Sequence, residues 1–253
     1  MADAGSGSGA PGAQGPPVGP RVVLATRNHH KIAELSRILA AAGFADGLVG
    51  LDAFPGAPDV PETGLTFADN ALLKGRAIAA YTGLPAVADD SGLCVDALHG
   101  MPGVFSARWS GKHGDDHANL ELVLGQLTDV AARGAQFVCV AALCLPPGDR
   151  PQALGAPAPH PPRPPVTPRM GGLAQPPHTP LRRCEWTTTG VLAGSLTRAP
   201  RGTNGFGYDP IFVPADMSVT TAELPPAEKD AISHRGRAFR ALAPVIAAHV
   251  MTS

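Results

Sequence analysis

The sequence predicts an α/β protein: a mixed twisted sheet flanked by helices, with two lobes and a cleft between them. Three observations lead there. Apolar runs of strand length alternate with stretches of helical period. The first such run, Val22-Val23-Leu24-Ala25, passes through a polar loop straight into a helical pattern, and a later one, Pro85-Ala86-Val87-Ala88, ends on the adjacent carboxylates Asp89 and Asp90. The chain has 253 residues, enough for one large α/β domain or two lobes with a substantial core.

Taken in order, the run at 21–25 is the first strand, and Ile32, Leu35, Ile38, Leu39 and Ala42 set a helix over 30–42. The junction Thr26-Arg27-Asn28-His29-His30-Lys31 aims free N–H groups and the positive dipole end at whatever sits there, and Lys31 adds a full charge. Phosphate suits such a site, although the junction lacks a P-loop pattern and every α/β protein has similar ones. In the stretch from Pro61 to Lys74, an acidic turn with Glu62 precedes a helix over 66–81 capped by Thr66. Asn70 and Lys74, four apart, share a face of it.

Strands are expected at 86–89 and 93–97, with Ser91-Gly92 as a turn between them. Adjacent strand residues point to opposite faces, so only one of Asp89 and Asp90 enters a pocket while the other makes structural hydrogen bonds. A solvated Asp-Asp turn is the alternative. A helix at 116–131, strands at 136–145, 185–193 and 211–213, and a helix at 236–250 complete the pattern.

Thr203-Asn204-Gly205-Phe206-Gly207-Tyr208-Asp209-Pro210 sets two rings and a carboxylate on a backbone thinned by glycine. In an extended backbone Phe206 and Tyr208 share a face and make a platform for a flat heteroaromatic ring. Aromatics beside glycines are also common as core or turn residues. Farther on, Glu228 to Gly236 crowds Lys229, His234 and Arg235 together, which on a helix is usually a solvated face.

Composition narrows the classes. The formal net charge of -1 leaves no basic excess for a nucleic-acid backbone, so no nucleic-acid partner is expected. No run has the length of a transmembrane helix, so no membrane association is expected and a cytoplasmic location is the default. The four cysteines form no C-x-x-C pair and read as reduced core residues. His113 and His117 flank two acids that read as helix-start residues rather than metal ligands. Residues 1–20, rich in Gly, Ala, Ser and Pro, read as a disordered tail. Residues 21–253 form one domain, interrupted at about 146–183 by an insertion with thirteen prolines that reads as an exposed loop.

Six ordered motifs carry a resemblance: Ala-Thr-x-Asn-x-x-Lys-x-x-Glu-Leu from Ala25, Glu-Thr-Gly-x-Thr-Phe from Glu62, Ala-Asp-Asp-Ser-Gly-Leu from Ala88, Pro-Gly-Val-Phe-Ser-Ala-Arg from Pro102, Gly-Phe-Gly-Tyr-Asp-Pro-Ile-Phe from Gly205, and Lys-x-x-Ile-Ser-His-Arg from Lys229. Over residues 21–146 and 184–250 the chain resembles the non-standard purine nucleoside triphosphate pyrophosphatases, the Ham1 or inosine triphosphatase-like family.

The resemblance implies an inosine triphosphatase-like fold and hydrolysis of dITP, ITP and XTP to the monophosphate and pyrophosphate with Mg2+, in a homodimer. It implies that Asp90 is the base and a magnesium ligand, Glu62 the second metal-site carboxylate and Asp89 a supporting group, with Asn70 and Lys74 near the triphosphate. Thr26, Asn28 and Lys31 would hold the phosphates, with Arg27, His29 and His30 acting through backbone N–H groups and Ser91 also in contact. Phe206, Gly207, Tyr208 and Asp209 would bind the base, His234 and Arg235 would read its edge, and Lys229 would lie close by. Relatives join the strands around the Pro-rich insertion by a shorter turn, and many have a small residue in place of Arg27. Two alternatives stand beside this: a Maf-like nucleotide pyrophosphatase, and a nucleotide-binding regulator without catalysis, which the presence of Glu62, Asp89 and Asp90 disfavours.

Overall fold

A computed structural model describes residues 22–44, 47–147 and 184–250. The proposed N-terminal tail, and the Pro-rich insertion from 148 to 183, lie outside the described residues. In chain order the elements are β1 (Val22–Leu24), α1 (His29–Ala41), β2 (Leu48–Gly50), α2 (Phe67–Thr82), β3 (Ala86–Val95), β4 (Met101–Pro102), α3 (Asp116–Gln126), β5 (Gly134–Cys144), β6 (Glu185–Leu196), β7 (Phe212–Pro214), α4 (Pro226–Ile232) and α5 (His234–Val250).

The strands form one mixed sheet in the order β2-β1-β3-β5-β6-β7, with β4 beside β3. β1 runs parallel to β2 and β3, while the pairs from β3 to β7 are antiparallel. Alternation along the strands feeds two layers. Leu24, Leu143 and Val87 pack against Leu35, Leu39, Phe239 and Leu242 of α1 and α5. On the opposite face Val23, Ala88 and Ala142 pack against Leu72 and Ile78 of α2. The far ends of β3 and β5 run into a third cluster, where Leu93, Val95 and Phe137 meet Leu120, Val123 and Leu127 around α3. The long strands thus join two lobes, with the cleft between them.

The expected turn at Ser91-Gly92 is absent. β3 is one strand, and its ladder with β5 runs unbroken through Asp89↔Ala141, Asp90↔Val140, Ser91↔Cys139 and Gly92↔Val138. Ser-Gly signals a turn only where the backbone lacks another partner, and β5 offers one at every step. Glycine is needed at 92 for a different reason: a Cβ there would lie 2.3 Å from Gly103 O and 2.4 Å from Ser106 Oγ.

The segment from Thr203 to Pro210 is not extended either. It is a chain of turns with Gly205 at φ 76° and Gly207 at φ 62°, so Phe206 and Tyr208 diverge instead of sharing a face. β2, β4 and α4 have no counterpart in the sequence reading, because elements of three, two and seven residues are too short to show a period. The expected helix at 116–131 ends at Gln126, and the last helix begins two residues early, at His234.

Candidate active site

The site begins with Asp89 and Asp90, which the pleat of β3 sends to opposite sides. Asp89 accepts hydrogen bonds from Lys31 Nζ (3.0 Å), Arg235 Nε (3.3 Å) and Ser91 Oγ (3.4 Å). Burial penalises its charge, but Lys31, Arg235 and Lys74 outweigh that penalty and hold it well below the usual carboxylate range. Asp90 faces a cavity of about 490 Å³. Its Oδ2 accepts from Asn70 Nδ2 (2.9 Å) and its Oδ1 from the Ser91 amide (3.0 Å), which fixes the plane of the carboxylate. Burial, aided by the negative charge of Glu62 and opposed by Lys74, pushes Asp90 up to about 6.

α2 delivers the cation that links the acids. Thr66 caps the helix as expected, in a capping box with Asp69. One turn in, Asn70 accepts from the Gly64 amide (2.7 Å) while donating to Asp90, so it joins the turn after Glu62 to β3. Four residues on, Lys74 Nζ lies 2.6 Å from Glu62 Oε1 and 3.8 Å from Asp90 Oδ1. Burial opposes the charge on Lys74, but Asp90, Asp89 and Glu62 raise its pKa. Burial likewise opposes the charge on Glu62, and Lys74, Lys31 and Arg108 lower its pKa overall.

At the α1 junction Asn28 is the N-cap, its Oδ1 accepting from the amides of His30 (3.0 Å) and Lys31 (3.2 Å), and Thr26 Oγ1 accepts from the Asn28 amide (3.2 Å). Those two amides therefore already have a partner within the chain. Thr26, Arg27, Asn28 and Lys31 line the cavity; His29 and His30 do not. Arg27 donates to Ala57 O (2.6 Å). The His30 ring instead stacks on Phe206, with centroids 5.5 Å apart, tying the α1 junction to the glycine-rich turns.

Phe206, Gly207, Tyr208, Asp209, Lys229, His234 and Arg235 line the same cavity. Lys229 Nζ and the Arg235 guanidinium sit 5.0 Å and 5.5 Å from the Phe206 centroid. Asp209 accepts from the Phe206 amide (2.8 Å) and from Lys229 Nζ, so it shapes the turn from within. Tyr208 is buried and donates to Ser106 O (2.8 Å). Lys229, His234 and Arg235 lie on α4 and α5, yet all three are buried, in contrast to the solvated face that helical residues of this kind usually form.

Arg235 donates to Glu34, Asp89 and Ser91 (2.8 Å for Ser91 Oγ), which occupies three of its five N–H groups. His234 stacks on Phe137, burial and the neighbouring Arg235 hold its pKa well below the usual histidine value, and its Nδ1 has no partner. Among the described residues no group of three or more His, Cys, Asp or Glu is placed to hold a metal.

The sequence reading missed Arg108 and Asp116. Arg108 Nη1 donates to Glu62 Oε2 (3.3 Å), and Asp116 Oδ2 accepts from the Gly207 amide (2.8 Å). The first ends a motif already singled out, but the second sits among ordinary helix-start acids and gave no signal.

A model of the Ham1 family matches residues 22–155 and 177–245, which is most of the chain. The chain belongs to the Ham1 family. The stretch unmatched between 155 and 177 falls inside the Pro-rich insertion. Similar proteins include ones named dITP/XTP pyrophosphatase from Streptomyces avermitilis, 53% identical over 89% of this chain and 96% of the relative, and from Nocardia farcinica, 50% identical over 90% and 95%. Among solved structures, a HAM1 protein from Coxiella burnetii is 38% identical with a TM-score of 0.70, covering 90% of this chain and 99% of that one. A nucleoside-triphosphatase, dITP/XTP pyrophosphatase, from Mycobacterium abscessus is 47% identical with a TM-score of 0.61, covering 89% and 99%. Membership sets aside the Maf-like alternative. Among the described residues no helix is long and apolar enough to cross a membrane.

Proposed function

We propose that this chain hydrolyses non-standard purine nucleoside triphosphates, dITP, ITP and XTP, between the α and β phosphates, leaving a monophosphate and pyrophosphate. The observation that carries the reading is a single cavity lined at one end by Asp90, Lys74 and Glu62 and at the other by the Phe206 turn, Lys229 and His234. A triphosphate and a flat base fit those two ends in one molecule.

Lys31 and Lys74 place two cations beside the acids, where triphosphate charge would lie, and the positive end of α1 adds to them. Asp90, buried and at about 6, is largely deprotonated at neutral pH yet still basic enough to take a proton from an attacking water. Asn70 and the Ser91 amide aim it. At the other end, Phe206 supplies a ring for stacking and His234 an unpaired ring nitrogen. Hypoxanthine and xanthine carry a carbonyl at C6 where adenine carries an amino group, so donors such as those of Lys229 and the free N–H groups of Arg235 favour the former.

The donor set fits magnesium: Asp90 and Glu62 are hard oxygen ligands that already share a cation in Lys74, and magnesium takes one or two carboxylates with the rest of its shell from water and phosphate. When bound, it would neutralise phosphate charge and lower the pKa of water. Resemblance to the family also makes a cytoplasmic homodimer our reading of the protein's setting.

The test is to incubate purified protein with magnesium and each of dITP, XTP, GTP, ATP and dTTP. Release of pyrophosphate from dITP and XTP, with little from the others, is the expected result. Orthophosphate with a diphosphate product would overturn the reading, because it places attack on the terminal phosphorus.

A further inference from the structure

The motif Pro102-Gly103-Val104-Phe105-Ser106-Ala107-Arg108 has no part in the chemistry above, yet the connection it opens, residues 103–116 between β4 and α3, touches both ends of the cavity. At the purine end Asp116 Oδ2 accepts from the Gly207 amide and Ser106 O from the Tyr208 hydroxyl, each at 2.8 Å. At the carboxylate end Arg108 makes two contacts with Glu62, Nη1 to Oε2 (3.3 Å) and Nη2 to the backbone O (3.2 Å). Two residues before Arg108, buried Ser106 anchors the connection to β3, its Oγ accepting from the Leu93 amide (2.9 Å) and donating to Gly103 O (2.7 Å), and the Gly114 amide closes it on Ala107 O (2.8 Å).

These contacts have a mechanical consequence. The turn at 205–207 relies on two left-handed glycines, so its own backbone does little to hold it in one shape. Its shape is set from outside, by the His30 ring on Phe206, by Lys229 on Asp209 and, from the connection, by the Asp116 carboxylate that accepts from the Gly207 amide in a charge-assisted bond. The connection supplying that tie also grips Glu62 and is fixed on the strand that carries Asp90. Displacing either end therefore strains the other through a short, anchored segment.

We propose that residues 103–116 act as a specificity strap in which Asp116 positions the purine-facing turn, Arg108 positions Glu62, and the shared anchor makes the two placements interdependent. The inference rests on the reading of the cavity as a purine triphosphate site. Asp116 and Arg108 are positioning residues: the first acts through Gly207 and the second through Glu62.

The experiment measures equilibrium binding of the non-hydrolysable α,β-methylene analogues of dITP and dATP, alongside kcat/KM for the natural pair, in the full-length protein. Asp116→Ala is expected to lower the dITP-to-dATP ratio about tenfold, the scale of one lost orienting hydrogen bond. Asp116→Asn, whose amide oxygen still accepts, should keep most of it. The distinguishing variant is Arg108→Ala: although remote from the purine end, it should lower the same ratio, and the double variant should fall by less than the product of the single effects. Arg108→Lys keeps the charge but loses the paired contacts, so it carries the same expectation if Arg108→Ala does not fold. An Arg108 variant that slows dITP and dATP turnover equally with the binding ratio unchanged would overturn the strap, as would independent effects in the double variant. Wild-type protein that binds the dITP analogue selectively but releases no pyrophosphate from dITP would count against the proposed reaction and leave the strap's ratios readable.

Discussion

Asp89 and Asp90 are covalent neighbours with opposite pH behaviour, because β3 gives one to two cations and the other to a cavity wall. The folded protein holds a proton on Asp90 more tightly than an unfolded chain does, so that carboxyl contributes stability below about pH 4 that is lost as pH rises through about 6. Asp90→Asn should therefore raise the melting temperature of metal-free protein at pH 7 to 8, by the equivalent of ~1–3 kcal/mol, with no such gain near pH 4. The same variant should lose 10²-fold or more in kcat, a rough figure for removing a general base. Melting curves in chelator across that pH range check the first, and turnover of dITP checks the second. Asp89 has the reverse sign: its depressed pKa contributes stability above the ordinary carboxylate range that disappears as pH falls. Arg235→Ala leaves Glu34 and Asp89 buried without their guanidinium, and a loss of about 3–5 kcal/mol is expected in chemical denaturation, which would mask any effect on base choice. Lys31→Ala should weaken all triphosphates alike, measured as a common rise in KM.

At the scale of elements, the site depends on how closely strands and helices approach. β6 and α5 meet at Gly190, where a Cβ would lie 2.0 Å from His234 O and 2.5 Å from Ala238 N. Gly190→Ala must push α5 off the sheet, and with it His234 and Arg235, so we expect a loss of about 2 kcal/mol or more in stability together with weaker dITP binding. A Gly190→Ala protein with wild-type melting and KM would show that α5 has room to shift without cost. The elements that could be read from the sequence were those long enough to show a period: α1, α2, α5 and the long strands β5 and β6 were all expected close to where they lie. The continuous β3 was not, because Ser91-Gly92 carries a local turn signal that only pairing with β5 overrides.

At the scale of the whole molecule, β5 and β6 are sequential antiparallel neighbours, and the described strands pair up to the edge of the Pro-rich insertion: Cys144 lies opposite Glu185, and the Leu145 amide donates to Cys184 O (3.0 Å). The two strand ends are thus already within reach of a tight connection. Replacing Gly148 to Pro180 with a short Gly/Ser turn should leave dITP hydrolysis nearly intact and stability equal or modestly higher, since closure entropy grows only slowly with loop length. A large fall in kcat/KM with unchanged circular dichroism would instead give that segment a role at the cleft.

The sequence by itself determined the α/β class, the acids, the glycine-rich aromatic segment and the split of Asp89 from Asp90, because local period, strand pleat and residue chemistry act over a few positions. Tertiary structure alone decided that Phe206 and Tyr208 part company, that Arg235 is held by Glu34, Asp89 and Ser91, and that Arg108 and Asp116 belong to the site. The first turns on two glycines whose left-handed conformation is permitted but not demanded by sequence, and the others on partners tens to hundreds of residues away in the chain, whose approach is set by sheet order and close helix contacts.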